Sequence, residues 1–175
     1  KLGEGKFGVV TLAKSKRTGG VFALKKVPKA MIKSHMMVEQ LSLELRIQSC
    51  VNHRNILGMY GFFEDKTHLY IVLEYMDGGT LYEQLKNSGK IPEKETASII
   101  RQITSAIDYL HDIGIAHRDL KPENVVISNV LFPRPSTSTS SATSAGLPFA
   151  TNDARPTAEP LTMWLLKSSR GPSTT

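Results

Sequence analysis

The feature that most constrains the fold is a set of three glycines that opens into a strand. Residues 3 to 8 read Gly3-Glu4-Gly5-Lys6-Phe7-Gly8, and Val9-Val10-Thr11 follow at once. Glycines at this spacing let a backbone approach an anion closely, with its N–H groups turned outward. The spacing occurs in two settings. In one, the glycines join a strand to a helix, with an acidic residue about 20 positions further on. Here β-branched residues follow, and Lys25 stands 22 positions after Gly3 where the acid would be needed. The context favours a β-hairpin, which either covers a phosphate or holds no ligand.

The chain keeps a regular pattern through residue 128. "VVTLA" and "VFALKKV" are rich in strand formers, and the polar turn "KSKRTGG" separates them. "MMVEQLSLELRIQSC" has helical spacing, with Leu41, Glu44 and Leu45 at i, i+3 and i+4. "HLYIVLEY" suits a buried strand. "IPEKETASIIRQITSAIDYLHDIG" predicts a helix that Pro92 and two glutamates open and Gly114 stops; Ile99, Ile103, Ile107 and Leu110 stripe one face.

From Asn129 the composition changes. Six of the nine prolines lie in the last 47 residues, and "STSTSSATS" is Ser and Thr almost throughout. Only "MWLL" is apolar enough to pack. Such a stretch buries too little to offset its ordering entropy, so residues 129–175 are expected to be disordered. The expected organisation is one domain over 1–128 and this tail.

Bulk properties narrow the function class. At 175 residues one domain is the default, and the first residue is Lys1, which suggests a piece of a longer product. A single cysteine, Cys50, excludes an internal disulfide and fits an intracellular protein, in cytoplasm or nucleus. No apolar run reaches the length of a membrane span. The net charge of +6 comes from clusters at Lys14, Lys16 and Arg17 and from Lys25 to Lys33. Those clusters lack interleaved aromatics, so neither nucleic acid nor membrane is an expected partner.

Three further elements carry chemistry. Alternation along "FALKK" sets Ala23 and Lys25 on one strand face, beneath the glycine hairpin. There Lys25 can meet phosphates as a point charge; it also suits an ordinary surface lysine. Glu44 lies on the packing stripe of its helix, where a carboxylate is costly unless paired. Lys25 is its candidate partner, and a solvated edge position is the alternative. "HRDLKPEN", His117 to Asn124, is the most specific motif. Asp119 can accept the proton of a substrate hydroxyl, Lys121 can steady a transferring phosphate, and Asn124 can offer an oxygen to Mg2+. Arg118 can pair with a phosphate or carboxylate.

Taken in order, these residues resemble the eukaryotic protein kinases, and lysine in "HRDLKPEN" resembles the serine/threonine branch. "LGEGKFGVVTLAK", "FALKKVPKA", "LELRIQS", "NILGMYGFFED" and "LEYMDGGTLYEQL" are similar to Aurora-type mitotic kinases. The resemblance covers residues 1–128. It implies a bilobal α+β fold with a five-stranded small lobe (1–75) and part of a helical large lobe (76–128). It implies ATP and Mg2+, Ser/Thr hydroxyls of proteins as acceptors, an activator protein, and a spindle or centrosome location. It implies that Gly3, Glu4, Gly5, Lys6, Phe7 and Gly8 cover the phosphates. Leu2, Val10, Ala23 and Val126 would sandwich adenine, Glu74 and Met76 would bind it through backbone, and Glu123 would lie near the ribose. Leu73 would be the gatekeeper.

The family pattern then breaks. After Asn124 a kinase carries D-F-G, whose aspartate holds the main Mg2+, and later A-P-E; neither triplet occurs in this chain. The tail suggests why. Back-translated and read from the last base of each codon, Thr157 followed by "AEPLTMWLLKSSRG" permits C-G-T-V-D-Y-V-A-P-E-V-I-K-G. The same shift across Ala142, Thr143, Ser144, Ala145, Gly146 and Leu147 permits D-F-G-W-S. The expectation is a kinase gene read out of frame between Asn124 and Thr143, against a genuine low-complexity tail. This chain is then expected to be catalytically impaired, with an ATP- or partner-binding fragment as the second reading.

Overall fold

The computed structural model describes residues 1–5, 8–32, 35–129 and 166–169. The amino-terminal part is a five-stranded antiparallel sheet in the order β1-β2-β3-β5-β4. Its strands are β1 (Gly3–Gly5), β2 (Gly8–Lys14), β3 (Val21–Pro28), β4 (Met59–Glu64) and β5 (His68–Glu74). Helix α1 (His35–Cys50) stands between β3 and β4 in the chain.

One face of this sheet is covered. Along β5, Leu69, Ile71 and Leu73 are buried while the residues between them are half-buried, which is the period of two expected of a strand with one packed face. They pack with Ala23 and Val27 of β3 and with Leu41 and Leu45 of α1. The helix contributes the stripe read from its spacing, and Glu44 lies within it, 8% exposed.

A second cluster forms around α3 (Glu93–Asp112), the helix of Ile99, Ile103, Ala106 and Leu110. Ile56, and Val125 and Ile127 of strand β6 (Val125–Ser128), complete it. Ile107 is only partly buried against the cluster. Pro92 stands at the N-cap and Glu93 and Glu95 occupy the first turn, favourable for the helix dipole. The other end closes as a Schellman motif: Gly114, at φ +75°, donates to His111 and Ile115 donates to Leu110. Helix α2 (Leu81–Ser88) follows β5 in the chain, with Leu81 against the second cluster, and is held by a capping box in which Thr80 and Glu83 satisfy each other's backbone N–H groups.

The fold is thus a β-rich lobe with one long helix followed by the start of a helical lobe, as the sequence implies. Residues 130–165 and 170–175, and with them the reading of that stretch as disordered, lie outside the described residues. Within the tail, Leu166–Ser169 form strand β7, which runs parallel to β6. No described helix is long and apolar enough to cross a membrane.

Candidate active site

The site lies between the sheet and the segment that follows α3. The glycine motif is a hairpin, with Gly5 opposite Gly8 and Gly3 opposite Val10. A Cβ at Gly3 or Gly5 would meet nothing within 4 Å, so this part of the hairpin faces open space. Gly8 differs: its φ is +154° and a Cβ would fall 2.0 Å from the Lys26 carbonyl oxygen. Glu4 is exposed and held by Lys1, whose hydrogen bond and charge keep its carboxyl below the usual range. Lys6 and Phe7 lie outside the described residues.

Beneath the hairpin the structure gathers an apolar slot. Val10, Met76 and Val126, each partly buried, pack against the cluster that holds Ala23 and Leu73. These residues come from β2, β3, β5, the segment after β5, and β6. Leu2 is 42% exposed, and its N–H donates to the Val10 carbonyl. Glu74 already gives its N–H to Gly58 at 2.8 Å, and its side chain accepts from the Gly58 N–H. A backbone contact from Glu74 to a base would therefore fall to its carbonyl.

Lys25 sits mid-strand in β3, opposite Val10 on one side and Ile71 on the other. Burial pushes its ammonium below the usual lysine range, and the charge of Glu44 opposes that shift in part. The register of β3 and the stripe of α1 thus bring the two residues into electrostatic reach. Gln48, one turn beyond Glu44, was not singled out from the sequence. It is 2% exposed, and neither its Oε1 nor its Nε2 meets a hydrogen-bond partner among the described residues. The signal was available: Gln48 continues the Leu41, Glu44, Leu45 stripe.

The HRDLKPEN segment follows α3 and leads into β6. His117 is buried, and the Asp119 N–H donates to its carbonyl at 2.9 Å and to its Nδ1 at 3.3 Å. Nδ1 therefore acts as an acceptor, and a proton on the neutral ring belongs on Nε2. Arg118 has φ +60°, the only positive φ outside glycine among the described residues. The Asn124 Nδ2 donates to the Asp119 carbonyl at 2.8 Å and to its Oδ2 at 2.9 Å, and Lys121 Nζ lies 2.9 Å from the same Oδ2. A 3-10 turn at Pro122–Asn124 closes the loop and leads directly into β6. Glu123 is exposed on that turn.

A family profile described as the protein kinase domain matches residues 1–132. The chain belongs to the protein kinase domain family. The kinase domain is 42% identical to Aurora kinase C of Mus musculus over 126 residues, 72% of this chain and 46% of the mouse protein. It is 40% identical to the Aurora kinase of Schizosaccharomyces pombe over 126 residues, 72% of this chain and 36% of the yeast protein. It is 38% identical to CBL-interacting protein kinase 9 of Oryza sativa over 128 residues, 73% of this chain and 28% of the rice protein. The chain therefore spans less than half the length of these relatives. The family is that of the serine/threonine kinases, which use ATP and Mg2+.

The described residues fit those ligands in part. The apolar slot suits a flat base, and the hairpin with Lys25 suits phosphates. Among the described residues no group of three or more His, Cys, Asp or Glu gathers to hold a metal. Mg2+ commonly takes one or two protein ligands and completes its shell with water and phosphate oxygens; Asn124 Oδ1 could be one such protein ligand.

Proposed function

We propose that this chain is the nucleotide-binding part of a serine/threonine kinase that moves the γ-phosphoryl of ATP to a protein hydroxyl. The observation that carries the reading is the contact of Asp119 with both Lys121 and Asn124. Gly3, Glu4, Gly5, Lys6, Phe7 and Gly8 lie over the phosphates. Leu2, Val10, Ala23 and Val126 enclose the adenine, and the carbonyl of Glu74 and backbone of Met76 meet its edge. Glu123 faces the ribose, and Glu44 orients Lys25 toward the phosphates. The acceptor hydroxyl loses its proton to Asp119 as its oxygen bonds to phosphorus, and ADP leaves. Lys121 balances the carboxylate and the phosphoryl oxygens. Bound Mg2+ would neutralise phosphate charge beside Asn124. Most of the acceleration in such chemistry comes from position and charge rather than from covalent steps.

The 175-residue chain taken alone binds Mg-ATP and transfers phosphate little or not at all. It lacks the D-F-G aspartate, and with it the principal metal ligand of this chemistry. Its acceptors, its activator and a spindle or centrosome location follow only from Aurora-like phrases such as "LEYMDGGTLYEQL". An intracellular setting fits the lone Cys50.

Thermal unfolding with and without Mg-ATP tests the reading, beside labelled-phosphate transfer to a protein substrate. The expected result is a raised midpoint that Lys25→Met abolishes, with no transfer. Phosphate transfer that Asp119→Asn removes would overturn the impairment. No midpoint shift at millimolar Mg-ATP would overturn the nucleotide site. Sequencing the transcript between the codons of Asn124 and Gly146 tests the frame: an intron or missing base there restores D-F-G-W-S, and an unchanged transcript rules the slip out.

A further inference from the structure

Strand β6 has two edges. On one, the Ile127 N–H donates to the Gly79 carbonyl at 2.8 Å, and the Ile127 carbonyl accepts from the Gly78 N–H at 2.9 Å. Alternation along a strand then turns the N–H and C=O groups of Val126 and Ser128 to the other edge. That second edge adjoins a closed core, since Val125 and Ile127 are each 1% exposed. Left open, it would be a row of unpaired backbone groups ready to take any extended chain.

The protein's own tail takes it. Val126 pairs with Lys167 and Ser128 with Ser169, in a parallel ladder. Parallel neighbours need a connection of about a dozen residues or more, and residues 130 to 165 exceed that. We propose that this outer edge of β6 is a strand-docking site whose occupant is the chain's own segment Leu166–Ser169, and that docking there steadies the backbone from Asn124 to Ser128 for nucleotide. The second clause rests on the nucleotide-binding reading above; the first does not. The structural logic is direct. The turn carrying Asn124 leads without a linker into β6, so a strand held on both edges fixes the residue that follows the catalytic loop. By reciprocity, a nucleotide that favours the ordered loop also favours the docked strand.

Cross-linking tests the docking in the intact chain. In a Cys50→Ser background, Ser128→Cys and Ser169→Cys place two thiols on paired positions. Neighbouring strands, ~4.8 Å apart, suit disulfide geometry. Mild oxidation should give a bond within one chain, read by peptide mass mapping under dilute conditions. No bond, or bonds only between chains, overturns the docking. Hydrogen exchange on Ser168→Pro, which cannot donate to β6, gives a second test. The amides of Val126 and Ser128 should exchange at least ~10-fold faster, while those of Ile127 and of β5 stay protected. Unchanged rates in that folded variant overturn the proposal, and if the variant does not fold the cross-link alone decides. Mg-ATP affinity of Ser168→Pro should fall ~5-fold or more. An opened edge with unchanged affinity overturns the coupling. A parent chain that binds no Mg-ATP refutes the nucleotide reading and with it the coupling, while the cross-link still judges the docking.

Discussion

Gly8 carries the sharpest constraint on a single residue. Its φ of +154° is one that side chains rarely adopt, and an added Cβ would strike the backbone oxygen of Lys26. Backbone cannot swing aside as a side-chain end can. Gly8→Ala is expected to destabilise the sheet by about 1–3 kcal/mol, measured by denaturant unfolding, whereas Gly5→Ala, with open space around it, should cost less. Equal losses would contradict this account. Lys25 makes a prediction in pH. Burial lowers its pKa from 10.5, so the folded chain sheds this proton earlier than the unfolded chain does. Between the two values the unfolded state binds more protons, and stability rises with pH. Below the folded value the full penalty of burying the charge remains. Lys25→Met should therefore flatten the alkaline rise that ends near 10.5. Identical slopes in parent and variant would refute it.

Elements differ in how openly the sequence displays them. The stripe of α3 was legible because Ile99, Ile103 and Leu110 recur at helical spacing; Ala106 completes it unannounced, since a small residue adds little to the pattern. Asp119, Lys121 and Asn124 were legible as a site because they are local, five positions end to end. The slot formed by Val10, Ala23, Leu73, Met76 and Val126 had no such signal and came only from resemblance, because strand order decides it. Strand β7 was hidden for the same reason: four residues whose partner lies far back in the chain. The turn between β4 and β5 shows what composition alone conceals. The Asp65 carboxylate accepts from the N–H groups of Thr67 and His68 and from the Tyr70 hydroxyl, which hold it far below the usual carboxylate range. A carboxyl with a depressed folded pKa contributes stability above its unfolded pKa and loses it as pH falls through the folded one. Asp65→Asn should make acid unfolding less steep below about pH 4; an unchanged acid limb in a pH series of melts would count against the turn's role.

At the scale of the whole molecule the chain has two cores rather than one. The first joins the sheet to α1 through Leu41, Leu45, Leu69, Ile71 and Leu73. The second joins α3 to β6 and to Ile56. Among the described residues, contacts around the end of α1 and the segment after it join them. Ile47 at the end of α1 and Val51 pack on the second core, while the Asn52 N–H reaches the Tyr109 hydroxyl and the Asn55 amide reaches Gln102 on α3. Val126 leans on the first core while its neighbours Val125 and Ile127 belong to the second. A break in one core should therefore spread incompletely to the other. Leu110, fully buried at the end of α3 beside its Schellman turn, is the residue to remove. Leu110→Ala should cost about 2–5 kcal/mol. The loss should fall mainly on α3 and β6, whose amides exchange faster, while β3 and β5 keep their protection. If the proposed nucleotide site is right, Mg-ATP should recover part of the lost stability by linkage. Uniform loss of protection across both cores would instead mean that the chain unfolds as a single unit, and the loop from Val51 to Ile56 would then be a rigid weld rather than a joint.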